Sequence, residues 1–332
     1  MLLAVVLVFP ATLRADVNPH WPSEYAIYEE AKQLLGKQKW EEAAIAFGSF
    51  MKRNPGFFPG SLGLSSALVH AGRREEALTL LTRLARLEKR AAIRDSLVRK
   101  TRAISRTFLT QATFQIHQDG LALMAGQKYR SAREKLAKAV EVEPDNVEIL
   151  TRLGQCLLLD KDYDSAAERL RLARRLNPYE PQIGLWLGRA LYHRGEIEEA
   201  LQEFRVVMPE LTGISELAPI WYADSLFILG QKISALKVLE DDARVSPQHV
   251  QTLIELARMQ IQTAGREKEN FWNARKNLQL ALSRIEQYSA LDAANIEGEL
   301  GLMQKKPPED LRAEIQRLFE QVDARLEDKI QR

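Results

Sequence analysis

Residues 150–178 read LTRLGQCLLLDKDYDSAAERLRLARRLNP, and residues 184–207 read GLWLGRALYHRGEIEEALQEFRVV. The two stretches carry the same pattern of apolar and small residues, in the same order. The alanines Ala166 and Ala200, which hold equivalent places in the two copies, are 34 residues apart. A fixed period of this length indicates a chain that is built from stacked structural repeats.

Each copy divides into two blocks in which apolar residues recur at three- and four-residue spacing, which predicts two amphipathic helices. Polar residues 160–162 separate the blocks, and Pro178 ends the second block because proline disfavours helix at the residue before it. Gly154 and Gly188 lie inside the first helices, where glycine costs about 1 kcal/mol relative to alanine. We interpret them as places where two helices approach closely. Since one helix pair cannot bury its own apolar face, neighbouring pairs must stack.

This pattern resembles the tetratricopeptide repeat, whose consensus is Trp-x2-Leu-Gly-x2-Tyr, then Ala-x3-Phe, then Pro. Residues 153–157, LGQCL, and 187–191, LGRAL, match it with Leu in place of Tyr, and Ala200 and Phe204 match outright. The resemblance implies an all-α fold: a right-handed α-solenoid of stacked helix-turn-helix repeats. In that family the first helices line a concave groove that binds peptides.

Further copies of the pattern lie on both sides of this stretch. Ala43 and Ala77 occupy the alanine position of two earlier copies and are again 34 residues apart. After residue 288 the pattern becomes less regular, and the chain ends in a strongly charged amphipathic stretch. The predicted organisation is therefore repeats 1 and 2 in residues 23–88, repeats 3–7 in residues 113–288, and a C-terminal capping helix in residues 309–330.

The register breaks once. Ala77 and the next equivalent alanine, Ala132, are 55 residues apart, which is 21 more than one period. The extra stretch contains neither proline nor glycine, so we predict a long inserted helix over residues 89–112. It either extends a neighbouring repeat helix or stands between two blocks of repeats.

The inserted region is basic. Between Arg83 and Arg106 the chain has nine Lys and Arg residues against two acidic ones. One interpretation is a solvated helix face, and the other is a surface that attracts an anionic partner such as a membrane surface or a glycan. Nucleic acid is poorly supported because aromatic residues for stacking are sparse here. The predicted contacts to an anionic partner are Arg94, Arg99, Arg102 and Arg106.

For a peptide or protein ligand, the resemblance points to the inward positions of the first helices. Arg189 and Tyr192 are three residues apart on one helix and therefore neighbours, and both residue types are enriched at binding hot spots. The alternative is that Arg189 pairs with a local carboxylate and Tyr192 packs between helices. The predicted partner-binding residues are Arg189, Tyr192, His193, Gln155, Asp224 and Phe227.

No arrangement in the sequence suggests catalysis. The five histidines have no metal-ligand spacing, and neither a phosphate-binding glycine loop nor a Gly-x-Ser-x-Gly nucleophile motif is present. We therefore predict that the protein is not an enzyme and that it needs no cofactor or metal. Cys156, the single cysteine, is expected to be a buried packing residue rather than a reactive thiol.

The first residues are apolar. Residues 1–9 read MLLAVVLVF and are too short to span a bilayer, which takes about 20 apolar residues. Residues 1–15 resemble the core of a secretory signal, although the usual basic start is missing. We expect a periplasmic or secreted protein, or a cytoplasmic one if this run is a buried first helix instead.

Three functions remain open. We favour a non-catalytic interaction scaffold in a bacterial envelope that holds a partner protein in the concave groove. The alternative is a binder of an anionic polymer or membrane surface through residues 83–106, for which the net charge of +2 gives no general support. An enzyme is the least supported of the three.

Overall fold

The computed structural model describes residues 22–211, 215, 217–246, 249–264, 268–288 and 308–327. These residues form sixteen α-helices and contain no strand. The predicted fold class, an all-α fold of repeated helix pairs, is confirmed. The helices are α1 (Pro22–Gly36), α2 (Trp40–Arg53), α3 (Phe58–His70), α4 (Arg74–Leu87), α5 (Ala91–Ser105), α6 (Gln111–Ala125), α7 (Tyr129–Val142), α8 (Val147–Leu159), α9 (Tyr163–Leu176), α10 (Pro181–His193), α11 (Ile197–Leu211), α12 (Leu217–Ile228), α13 (Lys232–Val245), α14 (Val250–Thr263), α15 (Lys268–Tyr288) and α16 (Pro308–Glu327).

The chain folds into two compact units. Unit 1 comprises Met1–Thr113, Glu143–Glu148 and Arg175–Tyr179, and unit 2 comprises Phe114–Val142, Ile149–Arg174 and Glu180–Arg332. In unit 1, α1 pairs with α2 and α3 with α4, and α5 then packs on α4. In unit 2 the succession of first and second helices runs from α6 to α15. Its first helices also contact one another, α10 with α12 and α12 with α14.

The turn inside six of the repeats has one backbone geometry. A residue with a left-handed φ, between 58° and 82°, follows each first helix. The next amide donates a hydrogen bond to a leucine carbonyl five residues earlier, for example Asp162 N to Leu157 O at 2.9 Å and Glu196 N to Leu191 O at 3.0 Å. This is the Schellman ending of a helix. The left-handed residues are Gln38, Gly72, Gln127, Lys161, Gly195 and Gly230.

The glycines of the first helices lie where two helices touch. A Cβ on Gly154 would lie 2.5 Å from Leu170, and a Cβ on Gly188 would lie 2.5 Å from Phe204. In these two repeats the partner side chain stands four residues after the repeat alanine, which is fully buried in every repeat. The interpretation of these glycines as points of close helix approach is therefore confirmed, and the small alanine admits the same approach from the second helix. The buried alanines are Ala43, Ala77, Ala132, Ala166, Ala200, Ala235 and Ala274.

The inserted stretch is shorter than predicted. Residues 88–90 are not helical, and α5 covers only Ala91–Ser105 before a second break at residues 107–110. Glu88 explains part of the first break, since its carboxylate accepts a hydrogen bond from the Arg90 backbone N–H at 2.9 Å and turns the chain there. The insertion is thus a separate helix that packs on α4, and the possibility that it extends a repeat helix is wrong.

A buried ionic network lies beside this insertion in unit 1. The Arg74 side chain is 0% exposed and donates to Glu143 Oε2 at 2.8 Å, to Asp145 Oδ1 at 3.0 Å and to the Thr107 carbonyl at 2.7 Å. Burial acts to raise the pKa of Glu143, but hydrogen bonds from Asn146 and Arg74 outweigh it, and the pKa is lowered. The network therefore holds an ionised carboxylate away from water.

The C-terminal helix α16 covers one end of the repeat series in unit 2. It buries Leu311, Ile315, Leu318 and Val322 against α14 and α15 and leaves a charged outer face. The capping helix predicted for residues 309–330 overlaps α16; residues 328–330 lie outside the described residues, as does the predicted signal segment 1–15.

Candidate partner-binding site

Six side chains from two successive first helices meet in unit 2. On α10, residues 186, 189 and 192 follow each other at three-residue spacing and residue 193 lies four after residue 189, while residues 221 and 224 are three apart on α12. Such spacings place side chains on one face of a helix, and α10 contacts α12. We call this group the aromatic–arginine cluster; its members are Trp186, Arg189, Tyr192, His193, Trp221 and Asp224.

Arg189 lies between two indole rings. Its guanidinium carbon is 4.8 Å from the ring centre of Trp186 and 5.0 Å from that of Trp221. The residue is only 8% exposed, and burial lowers its pKa to about 10. It therefore remains a cation at neutral pH, and contacts of this kind contribute about 2 kcal/mol each when desolvated.

Tyr192 and His193 continue the aromatic surface around Trp221. Their ring centres lie 5.0 Å and 5.3 Å from that of Trp221, both in edge-to-face arrangements. On its other side His193 stacks on Tyr163 of α9 at 4.6 Å. Burial, and secondarily Arg189, lowers the pKa of His193. The imidazole is thus neutral at pH 7 and acts as one more aromatic surface.

Carboxylates border the cluster. The Tyr192 hydroxyl donates a hydrogen bond to Asp224, and burial followed by this contact raises the pKa of the tyrosine. On the next first helix, α14, burial raises the pKa of Glu255, while Arg258 acts against that shift. Arg258 also binds Glu314 of α16. The face therefore passes from aromatic at α10 to ionic at α14 and α16.

Comparison with known families identifies the central part of the chain. Two family models, both described as tetratricopeptide repeat, match residues 118–181 and 157–213. Residues 118–213 are tetratricopeptide repeats. They include α7 to α11, and the aromatic–arginine cluster begins in this stretch and continues into α12.

Several solved structures contain similar helices. PilW, a type IV pilus biogenesis factor, is 21% identical with a TM-score of 0.44 over 58% of this chain and 97% of its own. A tetratricopeptide repeat protein from Parabacteroides merdae is 15% identical with a TM-score of 0.43 over 88% of this chain and 98% of its own. MamA is 18% identical with a TM-score of 0.44 over 52% of this chain and 96% of its own. Because these TM-scores lie below 0.5, they carry no argument about function. A search of curated proteins finds no match to the sequence.

Four of the predicted partner-binding residues, Arg189, Tyr192, His193 and Asp224, belong to the cluster. Phe227 lies one helical turn beyond Asp224, partly buried beneath the Lys232 ammonium group at 5.7 Å. Gln155 differs from the prediction: it is 1% exposed and accepts a hydrogen bond from Arg152 at 3.2 Å. A side chain that is enclosed in this way does not reach the surface, so we leave Gln155 out of the site.

The two tryptophans and Tyr163 were missed as site residues. Trp186 and Trp221 are 35 residues apart, as are Ala200 and Ala235, so the tryptophans hold equivalent positions in successive repeats. Equivalent positions on neighbouring first helices lie side by side in a stack of repeats. The 35-residue spacing therefore predicts, from the sequence alone, that the two tryptophans lie close together.

The four arginines predicted to contact an anionic partner differ in their exposure in unit 1. Arg94, Arg99 and Arg106 are exposed, but Arg102 is half-buried and donates through Nε to the Tyr179 carbonyl at 3.0 Å. Lys100 is also half-buried, which lowers its pKa. The four arginines therefore do not form one equivalent stripe, and binding of an anionic polymer there stays a prediction.

Other kinds of site are absent from the described ranges. No three His, Cys, Asp or Glu side chains come together there in a way that could hold a metal ion. None of the helices described above is both long and apolar enough to cross a membrane. Cys156 is fully buried, as predicted, and burial raises the pKa of its thiol to about 11.

Proposed function

We propose that this protein is a non-catalytic scaffold whose second unit binds a peptide segment of a partner protein across the first helices α10 and α12. One observation carries the proposal: an exposed histidine and a half-buried tyrosine and tryptophan from successive repeats lie together, in contact with the nearly buried Arg189 and through it with the buried Trp186. Binding hot spots are rich in Trp, Tyr and Arg, and they cluster where packing is tight.

The cluster is prepared for binding before any ligand arrives. Arg189 is fixed between two rings, and Tyr192 is fixed by its bond to Asp224. A ligand that contacts these side chains loses little free energy to their immobilisation, which otherwise costs about 0.5–1.5 kcal/mol per side chain. Because His193 is exposed and Tyr192 and Trp221 are half-buried, the ligand best suited to the site is a peptide with an apolar or aromatic anchor.

The test is affinity purification of partners with the full-length protein. His193→Ala and Trp221→Ala should each reduce the recovery of a bound partner by about 10-fold or more, as expected for truncation of hot-spot residues. Trp272→Ala is the matched control, because Trp272 lies on α15 in the same unit and is 56% exposed. It should change recovery by less than about 2-fold, since most contacts outside a hot spot are near neutral.

His193 is exposed, so its removal should leave the fold intact, and circular dichroism checks this for each variant. Equal recovery by the wild type, the two site variants and the control, with unchanged unfolding temperatures, would show that the cluster is not the binding site.

We further propose that the scaffold works in the bacterial envelope, on the basis of the apolar residues 1–9 and the small residues that follow them. Residues 1–15 fused to an enzyme that is active only after export should direct it to the periplasm. Mass spectrometry of the native protein should find a new N-terminus near residue 16. An intact Met1 on protein from the cytoplasmic fraction would contradict the export proposal and leave the binding proposal untouched.

A further inference from the structure

Unit 1 contains a large groove that the proposed function does not use. It has a volume of about 1030 Å³ and lies among α2, α3, α4 and α5, with the turn between α4 and α5 at its edge. Ligand sites commonly measure about 300–1,000 Å³, so the space is large enough for one face of a helix. We call it the α2–α5 groove.

The lining of the groove is mostly apolar. The three turns of α4 that face it contribute leucines, and the other helices add further leucines, a methionine and a phenylalanine. Leu87, at the end of α4, is 72% exposed. An apolar side chain held at the rim of an apolar groove is typical of an interaction surface. The apolar lining residues are Met51, Phe58, Leu64, Leu80, Leu84, Leu87 and Leu97.

The rim of the groove is positively charged. Its lining includes four basic side chains, Lys52, Arg83, Lys89 and Arg90, against the single carboxylate of Glu88. Glu88 is already engaged by Arg90, at 2.9 Å. Lys52, Arg83 and Lys89 are exposed and form no ion pair within the described ranges. Three cations on α2, on α4 and in the following turn thus stand around an apolar floor.

The groove exists because the repeat register breaks here. The turn after α4 carries Lys89 and Arg90 to the rim, and α5 adds Leu97 to the floor. Both belong to the stretch that has no counterpart in the 34-residue period. The groove is lined by the second helices α2 and α4 and by Phe58, Ser61 and Leu64 of the first helix α3. It belongs to unit 1, whereas the aromatic–arginine cluster belongs to unit 2.

We propose that the α2–α5 groove binds an acidic amphipathic helix of a partner protein. The apolar stripe of such a helix would lie on the leucines, and carboxylates on either side of the stripe would meet the cations on α2, on α4 and in the turn. Amphipathic helices bind in apolar grooves through anchors at i, i+3, i+4 and i+7. A single-headed anionic lipid would present one charge, whereas the cations here are distributed over three elements.

The test uses the full-length protein and a fluorescent peptide of about 18 residues, long enough to form a helix on binding. The peptide has leucines at i, i+3, i+4 and i+7, glutamates beside them, and a scrambled version as its control. Fluorescence anisotropy should show binding of the first peptide only. The affinity should fall as salt rises, because exposed charges are screened within about 10 Å at 0.1 M ionic strength.

Charge reversal at the rim should weaken binding. Arg83→Glu combined with Lys89→Glu should lower the affinity by about 10-fold or more, since a favourable charge pair becomes a repulsive one at two places. Arg94→Glu combined with Arg99→Glu is the matched control: it makes the same change at exposed arginines of α5 that do not line the groove. Leu87→Ser removes an exposed apolar anchor without disturbing the core, and should also weaken binding.

Other outcomes would overturn the proposal. Equal losses for the rim and control pairs would show non-specific charge attraction. Binding that appears only after residues 1–21 are deleted would show that the protein's own N-terminal segment fills the groove. If phosphatidylglycerol vesicles bind but the peptide does not, and the rim variant loses this vesicle binding, then the ligand of the groove is a membrane surface. If the protein dimerises as its concentration rises, the rim variant abolishes this dimerisation and no peptide binds, then the occupant of the groove is a second copy of this chain.

Discussion

The residue three positions before the buried repeat alanine differs between the regular repeats and the place where the register breaks. In α2 it is Trp40, whose ring stacks on His70 of the next first helix at 4.5 Å. In α9 it is Tyr163, which stacks in the same way on His193 at 4.6 Å. At the start of α4 the equivalent residue is Arg74, and it is buried among carboxylates. In α2 and α9 a ring thus joins one repeat to the next, whereas α11 and α13 have Ile197 and Lys232 at this position. In α4, where the period fails, an ionic network takes the place of the ring.

The two candidate binding surfaces also differ in whether they lie in the regular repeats or at the break in the repeat register. The aromatic–arginine cluster lies in the regular stretch, where successive repeats place equivalent residues side by side and the one cation is enclosed by rings. The α2–α5 groove lies at the break, where cations stand exposed around an apolar floor. Periodic residues therefore account for packing and for the cluster, and residues outside the period complete a groove whose other walls are α2, α3 and α4.

The largest expected effect comes from removing the ionic network at the break. Arg74→Ala leaves the buried carboxylate of Glu143 without its partner, and breaking such a pair by removing one member costs about 3–5 kcal/mol. The neighbouring Arg73→Ala is the matched control, because Arg73 forms only exposed ion pairs with Glu76 and Glu41. It should cost at most about 1 kcal/mol.

Urea unfolding followed by circular dichroism measures both variants. Since stacked repeats need not unfold in a single step, the comparison is between the transition of unit 1 in each variant and in the wild type. Similar losses of unfolding free energy in Arg73→Ala and Arg74→Ala would mean that the buried ionic network does not stabilise unit 1 where the repeat register breaks.

An intermediate effect is expected at the close helix contact of the regular repeats. Gly188→Ala places a Cβ 2.5 Å from the Phe204 ring, and overpacking of this kind costs about 1–3 kcal/mol. The same substitution at Gly48, inside α2, meets no atom within 4 Å. There it should stabilise by about 0.5–1 kcal/mol, because alanine is the better helix former. Thermal unfolding should therefore show shifts of opposite sign, and equal shifts would contradict the packing role of Gly188.

Much of the fold could be predicted from the sequence because the period itself encodes it. The spacing of Ala166 and Ala200 locates the helix pairs, and Gly154 and Gly188 locate the contacts. The length of α5 could not be predicted in this way, since Lys89 and Arg90 are compatible with helix. The break there depends on a local hydrogen bond from the Arg90 backbone to Glu88.

The candidate site could be predicted only in part. Helical spacing places Arg189 and Tyr192 on one face, but it does not show that Trp186 and Trp221 enclose the guanidinium. Nor does it show that Gln155, at an apparently inward position, is covered by its neighbours. These outcomes depend on how side chains from successive repeats pack, which a single helix pattern does not contain. Arg83, Lys89 and Arg90 belong to the basic stretch found in the sequence, but Lys52 and part of the apolar floor come from α2 and α3, which are distant from it in sequence.

The smallest expected effect tests whether the turn geometry is the same in every regular repeat. Lys161 has a φ of 65°, whereas Gly195, one period later, has a φ of 82°. The left-handed conformation costs a non-glycine residue about 1–2 kcal/mol, and glycine in turn loses about 0.5–1 kcal/mol more entropy on folding. Lys161→Gly should therefore stabilise by up to about 1 kcal/mol, and Gly195→Ala should destabilise by about the same amount. Denaturant midpoints of the two variants should move in opposite directions. If Lys161→Gly lowers the midpoint instead, the lysine side chain stabilises this turn by more than its left-handed backbone conformation costs. The turns of the two repeats are then not equivalent.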